Sequence, residues 1–277
     1  MIYKPRHEPQ ELIILRYLQP RMKFTEKEQK YFSQLEKGYQ GEILFDARLN
    51  DVRNDFLVLN DLLFEIGNSF FQIDSLLITQ NKIYLIDVKN YDGDFFIQKG
   101  KWYTFSDIEI KDPLIQLTRS ESLLRRLFHE NGFNLPIEAS LIFINSDFYL
   151  YQAPLNLPIT FPTQLNRFFK KLNSIPSKIT DRHWKLAEKL KALHLMNNPF
   201  TRIPEYTYES LEKGITCVAC YSFYTDIRNS SFKCSGCGFV ENVELAVLRS
   251  IKEFVHLFPN RKIRLNTIHE WYDEKIS

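Results

Sequence analysis

Asp74, Asp87 and Lys89 lie in the segment 72–90, QIDSLLITQNKIYLIDVKN, two apolar runs joined by Gln80, Asn81 and Lys82. Side chains alternate between the faces of a strand, so Asp87 and Lys89, two apart, point the same way. If residues 80–82 close a tight hairpin, Asp74 is brought to that face as well. Two carboxylates and an ammonium then converge among Leu, Ile, Val and Tyr. An unpaired ionised group there would neutralise or unfold its surroundings unless a cation or a partner held it. Two clustered carboxylates with a lysine are equipped to bind a hard divalent cation and to attack a phosphodiester. The alternative is a solvated Asp87–Lys89 pair on an exposed sheet face.

A third carboxylate stands upstream in Lys37-Gly38-Tyr39-Gln40-Gly41-Glu42. Helical spacing over 26–49 puts Leu35, Gly38, Glu42, Phe45 and Leu49 on one face, so Glu42 falls on the face expected to be buried. Each glycine weakens a helix by about 1 kcal/mol against alanine, a cost that makes sense where something approaches the backbone closely. A frayed helix or turn with Glu42 in solvent is the other reading.

All four cysteines lie within 217–237, spaced Cys217-x-x-Cys220, thirteen residues, Cys234-x-x-Cys237. Each pair can form a knuckle whose sulfurs face one ion, and two knuckles complete a tetrahedral thiolate cage for Zn²⁺. Gly236 and Gly238 suit the sharp turn of the second knuckle. The aromatic-rich stretch between the pairs gives the pattern of a zinc ribbon, closed and structural. Disulfides are disfavoured because nothing points to an oxidising compartment. The six histidines are scattered, with no two at metal-ligand spacing, and every thiol is accounted for.

The elements that must carry these groups are also marked. Residues 1–30 read as an N-terminal helical arm, with Leu12, Ile13, Leu15 and Leu18 available for packing. Strands are expected at 56–64, 69–79, 82–90, 94–98 and 102–105, punctuated by Gly67-Asn68, Gly93 and Gly100. Asp112 before Pro113 is a good helix start, and the helix should run to about His129. A continuous apolar strand follows at 139–145, then a short one at 159–161 and helices from Thr163 and from Thr180. Residues 31–197 thus form one α/β domain, 197–204 a linker, and 198–277 the ribbon with two helices, at 243–258 and 266–274.

The chain of 277 residues has a formal net charge of +2, so no global basic field advertises a nucleic acid. Between Arg167 and Lys191 eight Lys and Arg stand against Asp181 and Glu188. Such a face can track a phosphate backbone, although lysine-rich solvent faces of amphipathic helices are commoner. No apolar run approaches the roughly 20 residues that span a bilayer. The N-terminus lacks a signal-peptide pattern, so a cytoplasmic protein with no membrane partner is expected.

The ordered set Gly38-x-x-Gly41-Glu42, Gln72-Ile73-Asp74 and Asp87-Val88-Lys89-Asn90 resembles the nuclease-related domain (NERD) family. That family is similar to the PD-(D/E)xK phosphodiesterases. Asp112-Pro113-Leu114-Ile115-Gln116 is similar to the family's Pro-x-x-Gln segment. The likeness covers about residues 15–145. It implies a restriction-endonuclease-like three-layer α/β core, followed here by the four-cysteine zinc ribbon and a helical tail. It further implies a Mg²⁺- or Mn²⁺-dependent nuclease acting on DNA. Asp74 and Asp87 would ligate the ion, with the backbone carbonyl of Val88 and with Glu42, directly or through water. Lys89 would orient or help deprotonate the attacking water and stabilise charge on the phosphate. Gln116 would position the water or the strand, or be an ordinary polar helix residue. The rival expectation is a non-catalytic nucleic-acid-binding or recruitment protein that keeps the fold. A homodimer, or a protein partner held through the C-terminal module, fits either.

Overall fold

The structure is a computed structural model that describes residues 1–225, 227–228 and 230–272. Its contacts divide the chain into two compact units, Met1–His7 with Glu36–Pro199, and Glu8–Leu35 with Phe200–Ser277. The N-terminal residues therefore do not make a single arm. Strand β1 (Ile2–Lys4) belongs to the first unit and helix α1 (Gln10–Leu18) to the second. Helix α2 (Glu26–Asn50) crosses the division.

The first unit is built on a meander of three long antiparallel strands, β2 (Leu57–Ile66), β3 (Ser69–Ile78) and β4 (Ile83–Lys89). β1 lies parallel beside β2, while β8 (Ile137–Phe143) and β10 (Ile159–Thr160) extend the sheet in parallel beyond β4. Strand β4 is buried at Ile83 through Val88, as expected of a strand covered on both faces. Alternation sorts its residues. Ile83 and Leu85 pack with Leu117 and Leu124 of α3 (Pro113–Glu130) and with Leu186 and Leu190 of α5 (Asp181–Leu193). Tyr84, Ile86 and Val88 pack with Phe45 and Leu49 of α2 and with Leu165, Phe169 and Leu172 of α4 (Leu165–Ser174). The result is the three-layer α/β core expected from the sequence, with each fully buried Leu, Ile or Phe contributing about 1.5–3 kcal/mol.

The same sorting corrects the basic stretch 167–191. Its two helices, α4 and α5, pack into cores on opposite faces of the sheet, so its lysines and arginines do not make one continuous surface. Lys171 of α4 is instead paired with Glu138 of β8 at 3.2 Å.

A second, four-stranded sheet was not foreseen as such. Its order is β7 (Glu109–Ile110), β6 (Lys101–Thr104), β5 (Gly93–Gln98), β9 (Phe148–Tyr151). Trp102 and Phe148 point inward to the core that holds α3, stacking with Phe143 at the end of β8.

In the second unit, β11 (Ile227–Arg228), β12 (Ser231–Lys233) and β13 (Val240–Asn242) form a small antiparallel sheet. Asn242 then caps α6 (Val243–Leu257), its Oδ1 accepting from Glu244 N at 2.8 Å. Leu18, Phe254, Ile268 and Trp271 close a core with α7 (Leu265–Tyr272) around the buried Arg21–Glu253 pair. The expected end of the last helix at Glu274 lies outside the described residues. Among the described residues no helix is long and apolar enough to cross a membrane.

Candidate active site and candidate metal centre

Gly41 sets how closely the helix bearing Glu42 approaches the sheet. A Cβ built on Gly41 would lie 2.5 Å from Asn90 Cβ, so only glycine lets α2 reach the end of β4. Asn90 Nδ2 fastens the contact by donating to Lys37 O at 2.8 Å. Gly38 has open space around it and shows no such need.

The ladder that pairs Ser75 with Ile86 sets Asp74 across from Asp87 and stops there, while β4 continues beside β8 as far as Lys89 and Phe143. Backbone groups released by such a split need new partners. Asp74 supplies one, its Oδ2 accepting from Val88 N at 2.7 Å. Asp87 and Lys89 point to the same face, with Nζ 2.6 Å from Asp87 Oδ1. Asp87 is only 6% exposed, and its Oδ1 has no hydrogen-bond partner of good geometry even though the ammonium touches it. The solvated surface pair is thus not what forms.

Two participants were missed. Arg6, its side chain almost fully buried, donates to Glu42 Oε2 at 2.5 Å and to both carboxylate oxygens of Asp46 at 2.9 and 3.2 Å. Its Nη2 also reaches the carbonyl of Asp74 at 2.8 Å. Glu42 and Asp46 are four apart on α2, two like charges on one helix face, which was the available signal that a cation must sit between them. The source of that cation, 36 residues away, had no local mark.

Burial and the neighbouring Asp74 charge push the Glu42 carboxyl up to about 8, against the pull of Arg6. Burial and Asp74 likewise push Asp87 up to about 7, opposed by Lys89. Burial works against the Lys89 ammonium, but Asp87 and Asp74 outweigh it and hold its pKa above the ordinary value. Lys89 therefore carries its positive charge against Asp87. Four carboxylates, Glu42, Asp46, Asp74 and Asp87, face the two cations Arg6 and Lys89. Ionised together, as a bound cation would favour, the four leave an excess of two negative charges. The buried Asp87 Oδ1 has the Lys89 ammonium beside it but no hydrogen bond, a setting that fits one hard divalent cation.

As they stand, the carboxylates of Glu42, Asp74 and Asp87 are not drawn into one cage, because Arg6 holds the first and Val88 N–H the second. Gln116 is exposed on the first turn of α3 and is not brought into this cluster by any hydrogen bond among the described residues.

Among the described residues, Cys217, Cys220, Cys234 and Cys237 are the one group of three or more His, Cys, Asp or Glu side chains close enough to share an ion, with ligand atoms within 4.8 Å of one another. The sulfurs of Cys217 and Cys237 are 3.7 Å apart and those of Cys220 and Cys234 3.4 Å, free thiols rather than disulfides. A tetrahedron with metal–sulfur bonds of about 2.3 Å has edges of about 3.8 Å. The knuckles match bond for bond. The carbonyls of Cys217 and Cys234 accept from Tyr221 N and Gly238 N, both at 2.9 Å, and their own N–H groups donate to Ser222 O and Phe239 O, both at 2.8 Å. Tyr221 and Gly238 take positive φ, +62° and +76°. The glycine expected at the turn of the second knuckle thus has a tyrosine counterpart in the first.

With this geometry in view, residues 37–144 match the family model described as the nuclease-related domain, NERD. The match takes in Glu42, Asp74, Asp87, Lys89 and Gln116. The chain therefore carries a nuclease-related domain, followed by a four-cysteine zinc ribbon. No curated protein matches the chain. A solved structure, protein VC1899 from Vibrio cholerae, is similar at 13% identity and a TM-score of 0.26, over 62% of this chain and 37% of that one.

Proposed function

We propose that the protein is a metal-dependent nuclease that hydrolyses phosphodiester bonds in DNA. The observation that carries this reading is the facing of Asp74 and Asp87 where β3 and β4 part, with the Lys89 ammonium on Asp87 and more carboxylates than cations around them. Asp74 and Asp87 would hold Mg²⁺ or Mn²⁺ with the carbonyl of Val88, and Glu42 would reach it directly or through water. When bound, such an ion supplies Lewis-acid polarisation of the phosphodiester and makes water a better nucleophile at neutral pH. The hydrogen bond from Val88 N–H keeps the Asp74 carboxylate aimed. Asp87, as a ligand, would stay ionised, and Glu42, where it reaches the ion through water, would accept the proton of the attacking water. Lys89 stabilises the charge that grows on the phosphate oxygens as the bond to the leaving sugar oxygen breaks. Gln116, exposed on the first turn of α3, would meet the nucleic-acid strand rather than the metal. In the ribbon the four thiolates hold Zn²⁺, leaving no open position for catalysis.

The test is cleavage of supercoiled plasmid, linear duplex and single-stranded DNA with Mg²⁺, Mn²⁺ or EDTA. Metal-dependent cutting supports the reading, and the product pattern gives its mode. A second reading, a nucleic-acid-binding or recruitment protein without catalysis, is favoured by the two ion pairs, Arg6–Glu42 and Lys89–Asp87, which already neutralise part of the site. It predicts binding with no cutting under any metal.

A further inference from the structure

Arg6 lies outside residues 37–144, the part of the chain that matches the nuclease-related family, yet it is the most heavily bonded side chain of the acidic centre. Strand β1 delivers it. Lys4 and Arg6, two apart, meet the sheet where the β2–β3 register omits a pair, between Asn60↔Ser75 and Leu62↔Ile73. The omitted residues are Asp61, held at φ +50°, and Asp74. Lys4 Nζ donates to the carbonyl of Asp61 and Arg6 Nη2 to that of Asp74, both at 2.8 Å. The two cations thus satisfy acceptors that the ladder released, and fix the backbone of a proposed metal ligand.

On its other side the guanidinium forks onto Asp46 and bonds one oxygen of Glu42. A planar fork that meets two carboxylates fills the place a second divalent ion would take between them. We propose that Arg6 is a built-in cation that occupies the Glu42/Asp46 half of the centre. The Asp74/Asp87 half, which Glu42 reaches at most with its other oxygen or through water, is left for a metal, so the site takes one ion rather than two. Arg6 is then a positioning residue that sets metal count and holds Asp74 in place. This inference rests on the reading of the centre as a divalent-cation site.

The experiment counts Mn²⁺ bound to the full-length, zinc-loaded protein by electron paramagnetic resonance of free Mn²⁺, independently of any activity. Wild type should bind one ion and Arg6→Gln two, and Arg6→Lys, which restores the charge, should return the count to one. One ion in both wild type and Arg6→Gln, or two in wild type, overturns the inference and leaves the proposed nuclease standing. No ion in wild type removes both. Where Arg6→Gln fails to fold, Asp46→Asn decides. Its Mn²⁺ affinity should stay within about threefold of wild type, because Asp46 belongs to Arg6. A loss of tenfold or more, about 1.4 kcal/mol, would assign Asp46 to the metal and overturn the inference.

Discussion

The carboxylate of Asp74 accepts a hydrogen bond from the backbone N–H of Val88 at 2.7 Å, closing with a side chain the ladder that β3 and β4 leave unfinished. Asp74 therefore has a structural duty as well as the proposed ligand duty, and substitutions can separate the two. Asp74→Ala leaves a buried N–H unpaired and should cost about 1–3 kcal/mol in denaturant melts. Asp74→Asn keeps an acceptor oxygen and should cost less, yet both should lose divalent-cation binding. Equal Mn²⁺ affinity in Asp74→Asn and wild type would remove Asp74 from the ligand set.

Gly41 and Gly38 make an internal comparison three residues apart. Gly41→Ala drives a methyl into Asn90 and should destabilise by about 1–3 kcal/mol, lowering the melting temperature by several degrees. Gly38→Ala meets open space on a helix and should be neutral or stabilising, by up to about 1 kcal/mol. If both alanines behave alike, the close approach of α2 to β4 is not what Gly41 serves.

Metal-free protein should lose stability as pH rises. Asp87 titrates at about 7 and Glu42 at about 8 when folded, against 3.8 and 4.5 as ordinary carboxyls. Between those limits the folded chain holds protons that the unfolded chain has released, so each step up in pH favours unfolding. The urea midpoint should thus be higher near pH 5 than near pH 8. Asp87→Asn should flatten the slope, and Mg²⁺ should restore stability mainly at the alkaline end. A slope unchanged in Asp87→Asn would show that other groups carry it.

These groups were legible in the sequence to different depths. Asp74, Asp87 and Lys89 could be placed together because hairpin register and strand alternation are local rules, and β3 and β4 obey them. Gly41 was legible as a close approach, though not as an approach to Asn90. Arg6 was hidden because its partners lie 36 to 69 residues away and no periodicity links them. Strands β1, β7 and β9 were hidden for a related reason. They are two to four residues long, and both β1 and β9 pair in parallel with distant segments. For the basic stretch 167–191 the commoner reading, solvent faces of separate amphipathic helices, fits the packing of α4 and α5 on opposite faces of the sheet, which charge along a chain cannot reveal.

Zinc removal should act locally. Binding to four thiolates is worth about 10–16 kcal/mol in small zinc modules, and the ribbon strands beside the knuckles are only two or three residues long. Chelation, or Cys234→Ser, should abolish amide protection around the knuckles while β2, β3 and β4 keep theirs in hydrogen exchange. Unchanged protection at Tyr221 and Gly238 in zinc-free protein would mean the knuckles fold without the ion.

The most direct test of the central claim is plasmid cleavage by wild type and Asp87→Ala, purified identically and assayed side by side in Mg²⁺, Mn²⁺ and EDTA. Wild type should cut only with the metal, and cutting should fall at least about a hundredfold in the variant, with the variant still folded by circular dichroism. Full metal-dependent cutting by Asp87→Ala, or no cutting by wild type under any metal, would contradict that claim.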